Sequence, residues 1–167
     1  AFGLPDLYDG SYESAGIGRW SMMSGGSWGG GGNSPAHFDA WCKYRIGVVE
    51  PFPITDNYEN VILEPAELEQ NVLMLWREDD WGRQYFLMEN RQRIGFDTSL
   101  PGSGILIWHI DENMRNNQNP WYPGRGGNRH NIVALEQADG GYALEHNRNS
   151  GDAGDPFPGT SWNHTFS

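Results

Sequence analysis

The most chemically suggestive residues of this chain are aspartates in a glycine-rich segment near its end. Residues 151–159 read GDAGDPFPG, which places Asp152 and Asp155 three positions apart. Carboxylate and carbonyl oxygens crowded into a tight arc are the ligands that Ca²⁺ prefers, and Asp139 or Glu136 upstream could complete the shell. The spacing differs from that of an EF-hand loop, so an acidic turn without a metal is the alternative. We expect a calcium site at Asp139, Asp152 and Asp155.

Histidines, the usual ligands of zinc, do not form a zinc motif in this sequence. The helical signature His-Glu-x-x-His places two histidines on one face of a helix, with the Glu as general base. It needs histidines four positions apart, and no two of the five have that spacing: they are His37, His109, His130, His146 and His164. A lone carboxylate binds zinc poorly. We therefore expect no catalytic zinc in this chain by itself.

Several segments nevertheless match the wording of one family of zinc enzymes. Residues 1–6 read AFGLPD and residues 16–28 read GIGRWSMMSGGSW. Residues 85–91 and 100–111 read YFLMENR and LPGSGILIWHID. Together these segments resemble the immune-inhibitor-A-like metallopeptidases (peptidase family M6), which are secreted bacterial zinc enzymes.

The resemblance implies roles for three residues of the first two segments. Gly3 would be the glycine at which the chain turns out of the catalytic helix, and Asp6 the third zinc ligand. The second zinc histidine would then stand immediately before Ala1, so the chain would start just after the His-Glu-x-x-His helix. Met23 would lie beneath the metal, as the methionine of a Met-turn, without a bond to the ion. The alternatives are a hydrogen-bonded turn for Asp6 and Asp9 and ordinary core packing for Met23.

Composition and charge limit the partners of the chain. There are 22 acidic and 11 basic residues, and the formal net charge of −11 argues against nucleic acid or an anionic membrane as a partner. An excess of carboxylates suits a secreted protein that carries calcium, although simple solubility explains it equally well. Cys42 is the single cysteine, so no internal disulfide can form, and we expect a buried thiol. No apolar run approaches the roughly 20 residues that a membrane span needs.

Hydrophobic patterning predicts one short helix followed by strands. Residues 35–45 favour a helix with Ser34 as its cap, and β-branched or aromatic runs favour strands at 46–49, 58–63, 71–76, 84–89, 104–110 and 131–136. Residues 79–82 read as a hairpin connection. We predict a mainly β protein with one short helix (α+β). Residues 1–45 would be the post-helix portion of a metzincin-like catalytic domain with its Met-turn. Residues 46–167 would be a β-rich region packed on it as an antiparallel sheet or sandwich.

Polar residues on the predicted strands have structural interpretations as well as functional ones. Glu89 and Arg91 point to one face of a strand, where we expect a structural ion pair. His109 and Asp111 could bind a metal or form a hydrogen bond that fixes the imidazole tautomer, and we favour the structural role. For His37 we favour a capping or surface role over a place in a cleft.

The sequence therefore predicts the C-terminal fragment of a secreted zinc endopeptidase that hydrolyses proteins or peptides. The fragment would be inactive alone, because both zinc histidines and the general base are absent. Zinc in the complete enzyme and calcium in this chain are the expected cofactors. Loss of the catalytic helix would expose a surface, through which we expect the chain to form a homodimer or to recruit a partner. The alternative is a non-catalytic, calcium-stabilised β module that binds protein or glycan through exposed aromatic side chains.

Overall fold

The chain forms one mixed β-sheet with a layer of irregular segments packed against it. The computed structural model describes residues 3–76, 83–127 and 129–166. The sheet follows the order of the sequence: β1 (Phe52–Ile54), β2 (Leu73–Trp76), β3 (Gln84–Arg91), β4 (Gly104–Asp111) and β5 (Val133–Glu136). β1 runs parallel to β2, whereas the other neighbouring pairs are antiparallel. Within the described ranges the only α-helix is α1 (Ala40–Arg45). The predicted fold class, mainly β with one short helix, is confirmed.

Alternation of side chains along the strands gives the sheet two different faces. Every second residue of β3 is buried, and the register aligns Leu87 with Trp108 of β4 and Trp108 with Leu135 of β5. All three side chains belong to the hydrophobic core, and we call this side the inner face. The opposite side, the outer face, carries the aligned residues Phe86, His109 and Ala134.

Segments that precede the sheet in sequence cover its inner face. Leu7, Ile17 and Trp20 are fully buried in the same core cluster as the inner-face side chains. Trp41 and Cys42 of α1 join this cluster, so the single thiol is buried as the sequence predicts. Most of the covering layer consists of turns and short 3₁₀ segments, at Gly18–Trp20 and Gly25–Gly32. The apolar side chains of this layer, rather than regular structure, hold it on the sheet.

Helix α1 is shorter than the sequence predicts and has a different cap. It begins at Ala40, and the carboxylate of Asp39 accepts a hydrogen bond of 2.9 Å from the backbone N–H of Cys42. Ser21 Oγ donates to the other Asp39 oxygen at 2.6 Å, which fixes the cap from a second segment. The predicted cap, Ser34, instead donates its hydroxyl to the carbonyl oxygen of Phe96. Asp39 caps the helix because it directly precedes Ala40, so its carboxylate reaches the free N–H groups of the first turn, whereas Ser34 lies six positions before Ala40.

Two of the six predicted strands are wrong. Residues 46–49 form the turn that ends α1, where Gly47 adopts a φ of +73° that a strand does not permit. Residues 58–63 form bends and irregular backbone instead of a strand, and Ile62 is exposed. The predicted hairpin connection at 79–82 lies outside the described residues. No helix in the described ranges is long and apolar enough to span a membrane.

A buried network of charged groups joins the sheet to the layer that covers it. Arg91 is fully buried, and its guanidinium donates to Asp97 Oδ2 at 2.6 and 2.9 Å and to Glu89 Oε1 at 3.2 Å. Glu89 also accepts from Lys43 Nζ of α1 at 2.7 Å. Arg91 further donates to the carbonyl oxygen of Trp20 at 3.2 Å. The predicted structural pairing of Glu89 with Arg91 is confirmed.

We predict that Arg91→Met lowers the free energy of unfolding by about 3–5 kcal/mol, because it leaves two buried carboxylates without their main cation. Urea unfolding of the chain measures the change. Arg115→Met is the matched control: Arg115 is exposed, and its replacement should change stability by less than about 0.5 kcal/mol. Equal losses in the two variants would contradict the prediction.

Candidate functional site

The segment that carries Gly3 and Asp6 is a turn fastened to the methionine segment. Gly3 has a φ of +73°, the left-handed conformation that the turn interpretation requires. Asp6 is exposed, and its Oδ2 accepts a hydrogen bond of 2.9 Å from Tyr8 Oη. Leu7, the next residue, is fully buried and donates its backbone N–H to the carbonyl oxygen of Met23 at 2.8 Å. The structure therefore brings Asp6 and Met23 onto adjacent, hydrogen-bonded segments.

Met23 is held in place through the same hydroxyl that caps the helix. Its side chain is partly buried against the core, and its backbone N–H donates to Ser21 Oγ at 3.2 Å. Because Ser21 also binds Asp39, the methionine segment is connected to the start of α1. Met22, by contrast, is more than one third exposed. The geometry agrees with a Met-turn at Met23 and equally with a core methionine.

Asp9 has the structural role that the sequence left open. It is buried, and its carboxylate accepts hydrogen bonds from the backbone N–H and hydroxyl groups of Ser11 and Ser14. Burial acts to raise the pKa of Asp9, but these hydrogen bonds outweigh it and hold the pKa below its usual value. Asp9 therefore closes the turn that follows Asp6.

Asp6 alone does not form a complete metal site. Its exposure makes the carboxylate accessible to an ion, as a ligand requires. Among the described residues, however, Asp6 belongs to no group of three or more metal-ligating side chains. A zinc site needs at least three protein ligands, so any zinc bound here would need ligands from outside the described residues.

The three aspartates predicted to bind calcium lie together. Asp139, Asp152 and Asp155 each present a carboxylate oxygen, and these oxygens lie within 4.8 Å of one another. We call this group the aspartate cluster. Glu136, the other upstream candidate, is not in the cluster and lies with its Oε1 4.0 Å from His109 Nδ1. Of the two candidates for completing the shell, Asp139 is the one that the structure brings to the loop.

Asp155 is the buried member of the aspartate cluster and is only half satisfied. Its Oδ2 accepts from Trp20 Nε1 at 2.9 Å and from the backbone N–H of Asp152 at 3.0 Å. Its Oδ1 is buried without a hydrogen-bond partner. Burial raises the pKa of Asp155 to about 6, and the charges of Asp152 and Asp139 add to this shift. An unpartnered carboxylate oxygen among other carboxylates suits a hard cation such as Ca²⁺.

The remaining contacts fix the loop around the cluster. Asp152 Oδ1 accepts from the backbone N–H of Gly154 at 2.7 Å, and Asp139 Oδ1 accepts from Gly141 at 2.8 Å. A Cβ at position 154 would lie 2.7 Å from Asp139 Oδ2 and 3.0 Å from Asp152 Oδ1. A glycine is therefore required for the two carboxylates to approach this closely.

A cavity of about 810 Å³ opens on the outer face of the sheet and contains other residues singled out by the sequence. His109 lines it, stacks on Phe86 at 5.1 Å between ring centroids, and places Nε2 3.2 Å from Gln84 Oε1. His130 also lines the cavity, with its Nδ1 3.7 Å from Asp111 Oδ2. His109 and Asp111 both lie at this face, and His130 neighbours each of them: its ring centroid is 5.4 Å from that of His109. His37 lies elsewhere: it is half-buried, and its backbone N–H donates to Asp97 Oδ1 at 2.8 Å.

Two glutamates of the cavity have raised pKa values. Glu145 is buried, and its Oε2 accepts from Gln137 Nε2 at 2.6 Å. Burial raises the pKa of Glu145 to about 7, and the charges of Glu136 and Asp155 contribute. Burial also raises the pKa of Glu136. The sequence does not mark Glu145 or His130 as site residues, because single polar residues in loops carry no periodic signal.

Comparison with known proteins gives one match. The family model described as Immune inhibitor A peptidase M6, catalytic domain, matches residues 1–47. This stretch contains Gly3, Asp6 and Met23 and ends two residues after α1. No curated protein and no solved structure matches the chain. The start of the chain is therefore similar to the catalytic domain of a metallopeptidase family.

We predict that Glu145→Gln stabilises the chain at pH 8. The folded-state pKa of Glu145, about 7, lies above the ordinary value of 4.5, so the folded state binds its proton more tightly than the unfolded state does. The stability linked to this proton is fully present below pH 4.5 and is lost as the pH rises through 7. Removing the charge should therefore gain up to about 3 kcal/mol at pH 8 and almost nothing at pH 4.

Thermal unfolding in chelator at both pH values measures this difference. Glu50→Gln is the control, because Glu50 is exposed and its replacement should leave the curve unchanged. If Glu145→Gln increased the stability equally at pH 4 and pH 8, the increase would not come from removal of the Glu145 charge.

Proposed function

We propose that the chain is the part of a secreted zinc endopeptidase that follows its catalytic helix, together with a β region stabilised by calcium. The observation that carries the proposal is the exposed Asp6 on a positive-φ turn fastened to Met23, within the stretch that matches the metallopeptidase family. In this proposal Asp6 is the third zinc ligand, and Tyr8 orients it through the 2.9 Å hydrogen bond. Met23 supplies a soft apolar support beneath the site.

In this proposal the residues of this chain would help to hold the zinc ion and would position its third ligand. The two zinc histidines and the general base would come from the helix that precedes the chain. A bound zinc ion supplies a Lewis acid and an activated water for hydrolysis of a peptide bond. The buried Leu7 and the closed turn at Asp9 would keep the Asp6 carboxylate at a fixed position. By itself the 167-residue chain would be inactive, because it lacks the His-Glu-x-x-His sequence.

Asp139, Asp152 and Asp155 are the proposed calcium ligands. Three carboxylates within 4.8 Å of one another repel each other, and one of them has a buried oxygen without a partner. A divalent cation would remove both costs at once. Since Asp155 also binds Trp20, calcium would stabilise the layer that carries Met23.

One prediction of this proposal concerns zinc. In the polypeptide that includes the residues encoded upstream of Ala1, we expect His-Glu-x-x-His, one bound zinc and cleavage of denatured casein. Asp6→Asn should lower zinc affinity at least about 100-fold, because even outer-shell partners of a zinc site contribute 10–100-fold. Metal content by mass spectrometry measures zinc independently of activity. Asp56→Asn, at an exposed residue remote in sequence, should retain zinc. An upstream sequence without the histidine pair would disprove the proposal.

The second prediction concerns calcium and uses the 167-residue chain alone. Calcium at about 100 times its Kd should stabilise the chain by about 2–3 kcal/mol. Asp155→Asn should abolish this gain. Gly154→Ala should reduce it, because its Cβ pushes Asp139 and Asp152 apart. Asp56→Asn should respond like the original chain. Thermal unfolding with and without calcium measures all four, and a gain that survives in Asp155→Asn would place the ion elsewhere.

A second candidate function is a non-catalytic β module that binds protein or glycan. Its support is the exposure of Trp28 and Trp162, at 77% and 75% of their surface. In this case calcium would still bind to the aspartate cluster, but the residues encoded before Ala1 would contain no zinc motif. The zinc measurement therefore separates the two candidates, whereas the calcium measurement does not.

A further inference from the structure

The outer-face cavity is lined by residues other than those of the proposed zinc site: Gly3, Asp6 and Met23 are not among them. Phe86 of β3, His109 of β4 and Glu136 of β5 line it, and all three strands turn their intervening residues to the inner face. Leu7, next to Asp6, packs in the core on that inner face. The cavity therefore differs in position from the proposed zinc site, and nothing in the proposed function accounts for it.

One part of the cavity wall is aromatic. Trp121 and Tyr142 lie edge to face, with ring centroids 6.2 Å apart, and Phe86 lies edge to face with Phe166 at 5.0 Å. Trp121 is 45% exposed, so a large part of its surface is available to a ligand. Aromatic faces carry negative electrostatic potential, which attracts cations and planar guanidinium groups.

The rest of the wall is largely polar, with imidazole and amide groups and two carboxyls. Glu136 and Glu145 both line the cavity, and the lining residues that the structure describes include no lysine or arginine. Burial raises the pKa of both carboxyls, so their ionised forms are held in an unfavourable environment. A cation bound between them would remove this cost, whereas a neutral ligand would leave it.

We propose that this cavity binds the side chain of an arginine in a polypeptide. A guanidinium can stack on an aromatic ring and donate hydrogen bonds to carboxylates at the same time, which a compact ammonium does less well. The volume of about 810 Å³ lies within the range of ligand pockets and exceeds what one side chain fills. Residues flanking the arginine therefore have room. The net charge of −11 draws basic segments towards the chain.

The test is calorimetric titration of the 167-residue chain with two matched peptides at pH 8. Acetyl-Gly-Arg-Gly-amide carries the guanidinium, and acetyl-Gly-citrulline-Gly-amide replaces it with a neutral group of nearly the same shape. We expect the arginine peptide to bind and the citrulline peptide to bind at least about tenfold more weakly, because it loses the charge-assisted hydrogen bonds. The corresponding lysine peptide should fall between the two.

Variants locate the binding site. Glu136→Gln and Glu145→Gln should each weaken arginine binding about tenfold, whereas Glu50→Gln, at an exposed carboxylate outside the cavity lining, should leave it unchanged. Both cavity variants keep the shape of the side chain, and circular dichroism establishes that they are folded. The proposal would be overturned if Glu136→Gln and Glu145→Gln both bound the arginine peptide as tightly as the original chain.

Three further outcomes would also overturn it. Equal affinity for the arginine and citrulline peptides would show that charge is not recognised. Absence of heat up to about 10 mM peptide would mean a Kd too weak for a specific site. Binding of a neutral trisaccharide without binding of the arginine peptide would make the cavity a glycan site. Each outcome is independent of zinc, so the proposal fails or succeeds separately from the proposed function.

Discussion

The structure depends on one buried cation, the guanidinium of Arg91. It lies at the end of β3 and binds Glu89 on the same strand, Asp97 in the 3₁₀ turn Gly95–Ser99, and the carbonyl oxygen of Trp20 in the covering layer. A charge placed so deep is tolerable only when all its donors are satisfied by nearby acceptors. Because those acceptors come from three separate segments, the irregular layer over the inner face has a defined position on the sheet.

The charges of this network nearly balance. Lys43 and Arg91 supply two positive charges. Burial acts to raise the pKa of Glu89, but the two cations outweigh it and hold that pKa below its ordinary value. For Asp97, Arg91 and hydrogen bonds from neighbouring groups outweigh burial in the same way. The third carboxyl, Glu67, lies 3.4 Å from Arg91 Nε, and burial raises its pKa to about 7. A proton on Glu67 leaves two cations facing two anions. The network is thus close to neutral inside the protein, as a low-dielectric interior requires.

The sequence predicts features that depend on neighbouring residues, but it does not reveal contacts between residues far apart along the chain. Runs of β-branched and aromatic residues located β3 and β4, and the three-residue spacing of Asp152 and Asp155 indicated a cluster, since both patterns lie within a few positions. The hydrogen bond from Trp20 to Asp155 joins residues 135 positions apart, so no spacing could reveal it. The parallel pairing of β1 with β2 was equally invisible. The prediction at 58–63 is wrong for another reason: the segment has strand-like composition but no partner strand among the described residues, and composition reflects only a side chain's preference.

In the part of the chain that the structure describes, buried carboxyl groups gather at three places, and the cost of burying their charge is met differently in each. Around Arg91 the cations belong to the chain itself, so the pKa values of Glu89 and Asp97 are lowered and that region is fixed internally. In the aspartate cluster and the outer-face cavity, burial instead raises the pKa values of Asp155 and Glu145 to about 6 and about 7. Carboxyl groups with raised pKa values destabilise the folded chain at neutral pH unless a cation binds from outside.

The aspartate cluster and the outer-face cavity differ in the groups that surround their carboxylates. Oxygen atoms in a tight glycine loop suit a small hard ion, whereas aromatic rings around a large cavity suit a broad organic cation.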